Sequence, residues 1–445
     1  MQERLWIIDQ FEPNNAAYCV PIAMTISGEL NVDQLNSSFN LVIARHDILR
    51  TIFINNDGQA KQKILNKLDF TLDRADLTKL KTKKARDTEA RNICLAEIAT
   101  SFDLTSGPLI RGKLIKLAAQ EHILLINMHH IISDDWTLGV LLREVFSTLN
   151  EVCQGLTPAL NSPTIQYVDY SAWQRKWLQE SGAMDQQLSY WQKKLSGIPE
   201  GLDLATDYPR PGVQNYAGAS QTFHFDAELT KQLRNLAEKS NATLYMTLLA
   251  AFKVLLHRYT GQEDICVGGV IANRRFEETE NVIGMFVNTL ALRDVVEGAD
   301  LFTSVLGKIK ETCLEAYEHQ DAPFEKIVDL VQPNRNIAMN PLFQVMVILQ
   351  NVPMDVLSQT NVQRYPLDRN SSKFDITVEF SEAAEGLNGI IEFSTALFKP
   401  QTIERMTQHL KTLCEAIVSA PESKIIDLDY IGEKEKHYLL QDLNN

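Results

Sequence analysis

The chain has 445 residues, 44% hydrophobic and 22% charged, proportions of a folded globular protein but more chain than one core usually organises, so two domains or lobes are expected. Against 43 Lys and Arg stand 57 Asp and Glu, a formal charge of -14, which repels phosphate backbones and anionic lipid and argues against nucleic acid or a membrane surface as partner. The six cysteines, Cys19, Cys94, Cys153, Cys266, Cys313 and Cys414, are scattered with no CxxC pair, so they suggest neither a zinc knuckle nor a disulfide framework and read as reduced, cytoplasmic thiols.

In chain order, the segment Met1-Gln2-Glu3-Arg4-Leu5-Trp6 carries no signal-peptide pattern and starts abruptly, as expected of a piece of a larger protein. Ala23 to Ser27 reads as a strand, and Asp33 to Ala44 as a helix with Leu35, Phe39, Val42 and Ile43 at helical spacing. The apolar run His122 to Met128 suits a buried strand, and Leu138 to Phe146 resumes a helical pattern. Gly182, Gly197, Pro199, Pro209, Pro211 and Gly212 punctuate a helix around Gln187 to Leu195 and mark a boundary between lobes. A strand near Ser220 to Phe225 and helices at Ala227 to Ser240 and Leu244 to Tyr259 follow. Near the end come strands at Lys373 to Glu379 and Gly389 to Ser394, a helix at Thr402 to Ala416, and a polar tail that reads as a linker. The alternation defines an α/β chain; its apolar runs are too short to span a bilayer.

The segment richest in chemistry is Asn127-Met128-His129-His130-Ile131-Ile132-Ser133-Asp134-Asp135-Trp136-Thr137, at a strand end before a helix. Side chains alternate faces along a strand, so His129 and His130 are poorly placed to share one metal: one faces a cleft and the other packs inward. A histidine in a cleft suits amide formation, because the attacking amine sheds protons near neutral pH, where imidazole titrates. Taken alone, two vicinal histidines more often pack than catalyse.

His129-His130-x-x-x-Asp134 resembles the HHxxxDG signature of the condensation domains of nonribosomal peptide synthetases, with Asp135 in place of the glycine. Further segments resemble that family's signatures in order: Glu3-Arg4-Leu5-Trp6, Arg45-His46-Asp47-Ile48-Leu49-Arg50-Thr51, Tyr167-Val168-Asp169-Tyr170-Ser171-Ala172-Trp173-Gln174, Gly284-Met285-Phe286-Val287-Asn288-Thr289-Leu290, His319-Gln320-Asp321-Ala322-Pro323-Phe324-Glu325 and Asn340-Pro341-Leu342-Phe343-Gln344. The resemblance covers nearly the whole chain. For Tyr167, Tyr170, Trp173 and Trp177, whose spacing suits one helical face, core packing is the favoured reading.

The resemblance implies two chloramphenicol acetyltransferase-like lobes in a V with a central tunnel: residues 1–180 as the N-terminal lobe, 181–430 as the C-terminal lobe with a floor loop around Gly268 to Gly284 and a latch around Val352 to Lys373, and 431–445 as the start of a linker. It implies amide bond formation between a thioester donor and an aminoacyl acceptor, each on the phosphopantetheine arm of a carrier protein, upstream and downstream, with a neighbouring adenylation domain. No cofactor or metal of the domain's own is expected. His130 is the expected catalytic histidine, His129 is structural, Asp134 pairs with Arg274, and Trp136 and Asn288 lie near substrate. The Ser133-Asp134-x-Trp136-Thr137 context resembles domains accepting an L-configured donor. Two readings of Asp135 stand: it narrows the tunnel near His130, or it caps the helix beginning near Leu138. The alternatives to a peptide-forming enzyme are a non-catalytic docking platform and a free-standing acyltransferase.

Overall fold

The computed structural model describes residues 2–12, 15–158, 160–332, 336, 338–350, 361–367 and 371–442. The chain divides into two compact units. The first takes Met1–Ala183, Ala272–Val287 and the described residues 361–367; the second takes Met184–Ile271, Asn288–Gln350 and 371–442.

Unit 1 is built on a five-stranded sheet in the order Val362–Arg364, Cys19–Ser27, Glu121–His129, Ile110–Ala118, Asp73–Asp76. Only the last pair is parallel. The central strand Glu121–His129 is buried almost throughout because both its faces are covered. Leu124, Ile126 and Met128 face a core that includes Phe39 and Val42 of the helix Val32–Arg45 and Leu141 and Val145 of the helix Asp135–Cys153. Ile123 and Leu125, one position out of phase, pack with Ala90 and Cys94 of the helix Lys83–Ile98. The strand therefore holds a fixed register, Ile22 opposite Ile126 and Cys19 opposite His129, and delivers His130 at its end.

Unit 2 carries a six-stranded mixed sheet in the order Gly218–Asp226, Gly386–Ser394, Ile376–Ala383, Val345–Gln350, Asp264–Ile271, Asn288–Val295. Val345–Gln350 runs parallel to both its neighbours; the other pairs are antiparallel. The helices Leu244–Thr260, Phe302–Glu318 and Pro400–Ser419 supply its core. Inside the unit the fully buried Lys253 pairs with Asp294 and donates to Leu292 O at 2.8 Å, while Thr312 Oγ1 donates to Asp294 Oδ1 at 2.5 Å.

Several expectations are corrected. The first boundary falls at Ala183/Met184, but residues 272–287, assigned from sequence to the second lobe, belong to unit 1, because their side chains and backbone bind the helix Asp135–Cys153. The strand expected from Lys373 starts at Ile376, since Lys373 lies in a loop whose carbonyl accepts Gln214 Nε2 at 3.0 Å and Asn340 Nδ2 at 2.7 Å. The tail is helical over Glu433–His437, and Glu435 Oε2 accepts from His409 Nε2 at 2.7 Å. Of the expected latch, residues 352–360 and 368–370 lie outside the described residues.

Candidate active site

The strand Glu121–His129 passes into a single 3-10 turn, His130–Ile132, and then into the helix Asp135–Cys153. His129 is buried and caps that turn: its Nδ1 accepts the Ile131 N–H at 3.0 Å, which places the ring proton on Nε2. Its ring meets Phe102 edge-on, with centroids 6.1 Å apart. His129 therefore shapes the turn. Ser133 Oγ donates to His129 O at 3.0 Å, and Gln2 Nε2 from the N-terminal helix donates to Ile131 O at 2.6 Å.

His130 is half-buried, and its Nδ1 lies 2.6 Å from Ser133 O. A carbonyl only accepts, so Nδ1 carries the proton and the neutral ring keeps its basic lone pair on Nε2. The turn thus selects a tautomer suited to taking a proton at Nε2. The Ser133 carbonyl was not foreseeable from sequence; no side-chain pattern announces a backbone acceptor.

Asp134 is the N-cap of the following helix: Oδ1 accepts Thr137 N at 2.7 Å. Oδ2 accepts the Phe286 N–H at 2.9 Å, and Arg274 Nη2 stands 3.3 Å from Oδ1. Both side chains are almost wholly buried, at 4% and 2% exposure. Such a charge is tolerable only when saturated with donors, and Asp134 has three. Arg274 also donates to Val282 O at 2.6 Å and to Thr279 O, and lies over the Phe286 ring at 4.0 Å. Burial pulls the Arg274 guanidinium below its ordinary pKa, and the Asp134 carboxylate opposes that fall.

The capping role expected of Asp135 belongs to Asp134, because the helix begins at Asp135 and not near Leu138. Asp135 is the first helical residue, exposed, with its carboxylate at the positive end of the helix. Thr137 was not among the expected site residues; its amide is the one that the Asp134 cap satisfies. Its hydroxyl donates to Gly284 O at 2.7 Å and accepts from Gly284 N at 3.0 Å. Tyr167 OH donates to Met285 O at 2.7 Å; burial chiefly, with the nearby Tyr170 and Asp134 charges, pushes its hydroxyl far above the ordinary range. A Cβ on Gly284 would lie 2.0 Å from Tyr167 Cδ2, so only glycine admits this approach.

Trp136 is half-buried, and its indole N–H donates to Glu280 O at 2.8 Å, tying it to the same loop. Asn288 lies in unit 2 and is buried, with its Nδ2 donating to Gln320 O and Ala322 O, each at 2.8 Å. That pattern braces the His319-Gln320-Asp321-Ala322 turn. Of the aromatic set, Tyr167 and Tyr170 are buried, whereas Trp173 is 44% exposed and stacks on Trp177 at 5.7 Å. Among the described residues, no cluster of three or more His, Cys, Asp or Glu is placed to hold a metal ion, and no helix is long and apolar enough to cross a membrane.

The condensation domain family model matches residues 1–440. A linear gramicidin synthase polypeptide from Brevibacillus parabrevis is 42% identical over all of this chain, which spans 9% of that protein. Malpinin synthetase of Mortierella alpina is 38% identical over the whole chain, which spans 6% of it. Among solved structures, a four-domain nonribosomal peptide synthetase bound to AMP and glycine superposes with a TM-score of 0.87 at 25% identity, covering 98% of this chain and 34% of that one. The X-domain from teicoplanin biosynthesis gives a TM-score of 0.84 at 23% identity over 96% of each chain and shares the fold. The chain belongs to the condensation domain family of nonribosomal peptide synthetases, which catalyse peptide bond formation between carrier-bound substrates.

Proposed function

We propose that His130 is the catalytic residue of this condensation domain and that it acts through Nε2. The observation that carries the reading is the 2.6 Å contact of His130 Nδ1 with Ser133 O, which fixes the tautomer. The acceptor amine attacks the donor thioester carbonyl; its nitrogen–carbon bond forms as its proton passes to Nε2. Collapse of the tetrahedral adduct breaks the carbon–sulfur bond, and the departing thiolate takes the proton back from the imidazolium, so His130 is regenerated. Such a positioned base contributes about 10²- to 10⁴-fold, and orientation of two tethered reactants about 7 to 11 kcal/mol. The Asp134–Arg274 pair serves this chemistry by holding the loop, not by touching substrate.

The donor and acceptor arrive on phosphopantetheine arms of upstream and downstream carrier proteins, the domain works beside an adenylation domain in the cytoplasm, and it needs no cofactor of its own. The family match and the multidomain relatives support this setting. The Ser133-Asp134-x-Trp136-Thr137 context supports an L-configured donor. The discriminating experiment offers L- and D-aminoacyl donors on the same carrier with one loaded acceptor and counts product by mass spectrometry. Preferred use of the L donor is expected; equal or greater use of the D donor removes the stereochemical assignment.

A further inference from the structure

We propose that Asn273 is a positioning residue of the condensation reaction, its carboxamide pairing with a secondary amide of the carrier-borne substrate. The inference rests on the assignment of the chain as a condensation domain and adds a substrate-contacting group to it. Asn273 is only 5% exposed, and neither its Oδ1 nor its Nδ2 has a hydrogen-bond partner among the described residues. The Nε of Arg274, next in sequence, is also buried and without a hydrogen-bond partner among the described residues. By contrast two other polar side chains on this loop are engaged: Thr279 Oγ1 donates to Phe276 O at 2.6 Å and Asn281 Oδ1 accepts Arg143 Nη2 at 2.8 Å.

The backbone at Asn273 adds to the cost. Its φ of +52° lies in the left-handed region, which asparagine tolerates better than most residues but which glycine adopts without penalty. Glycine at 273 would relieve the backbone and remove two buried polar atoms that have exchanged water for nothing. Fold stability alone therefore argues against asparagine here, and a side chain that costs the fold is explained by what it does. The residue is anchored to the motif: Arg274 binds Asp134 and Thr137 at 3.3 and 3.2 Å. A carboxamide carries a donor and an acceptor in the geometry of a peptide group, so its natural complement is a secondary amide. Two sources supply one, the pantetheine arm and the peptide bonds of a peptidyl donor. Because both atoms are closed to solvent, pairing accompanies a local shift of residue 273 against its Arg274 anchor.

The test compares the parent with Asn273→Gly, reading melting temperature and, by ligand-observed NMR, binding of three non-reacting thioethers: a short acyl chain on pantetheine, an N-acetyl dipeptide, and an ethyl thioether with no amide. The expected variant melts at or above the parent and binds one amide probe about 10-fold more weakly, the scale of one lost hydrogen-bonded pair, with the amide-free probe unchanged. Whichever amide probe is affected identifies the source. With carrier-bound substrates, the KM rises while kcat is kept. A variant that melts below the parent, an unchanged affinity for both amide probes, or a parent that does not prefer amide-bearing probes overturns the proposal. Binding is read apart from turnover, so a parent that forms no peptide counts against the reaction and leaves the Asn273 assignment to the probes.

Discussion

At the scale of single residues, the site pairs one oriented imidazole with a carboxylate, Asp134, that is saturated with donors. Asp134 does three jobs: helix cap, acceptor for Phe286 N–H and counter-ion of Arg274. Asp134→Ala strips all three and strands a buried guanidinium, so thermal or urea unfolding is expected to show a loss of about 3–5 kcal/mol; a variant as stable as the parent would contradict the structural role. The pairing of Asp134 with Arg274 was readable only through the family resemblance, because 140 positions separate the two and no local pattern links them. The cap itself was readable locally, but two adjacent aspartates compete for it. The structure decides for Asp134, whose extended backbone, φ -136° and ψ 176°, turns its carboxylate onto the Thr137 amide.

At the scale of elements, the loop 272–287 is sewn to the rest of unit 1 by Arg274, Thr137, Tyr167 and Trp136. Gly284 is its tightest point. Gly284→Ala drives a methyl into the Tyr167 ring, and a destabilisation of about 1–3 kcal/mol is expected from such overpacking, with faster hydrogen exchange at residues 282–286. Parental stability and exchange would show that the ring yields easily. Long periodic elements were legible: the helix read as Leu244 to Tyr259 is Leu244–Thr260, and the strand read as Ser220 to Phe225 is Gly218–Asp226. One start next to the site was not. The helix read from Leu138 begins at Asp135, because its polar first turn interrupts the apolar pattern from which helices are recognised. The bracing bonds of Asn288 were not legible either: its partners, the Gln320 and Ala322 carbonyls, are backbone groups that no sequence motif names.

At the scale of the whole molecule, three hydrophobic cores hold nearly all the thiols. Five of the six cysteines are buried and only Cys153 is exposed. Burial pushes the Cys94 thiol up to about 11 and those of Cys266 and Cys313 up to about 12. In the unfolded chain these groups ionise near about 8.5, so above that pH the folded state holds more protons and stability falls as pH rises toward the folded values. A thiol reagent at pH 8 is expected to titrate one cysteine quickly and five only on unfolding; rapid reaction of several thiols would contradict the packing described for both units. The central claim is that His130, oriented by Ser133, moves the proton in amide formation, and one measurement tests it most directly. Peptide formation from two loaded carrier proteins is compared between the parent and His130→Ala, with circular dichroism confirming an equal fold. The account predicts a loss of about 10²-fold or more for the variant; near-parental turnover by a folded His130→Ala protein would contradict it.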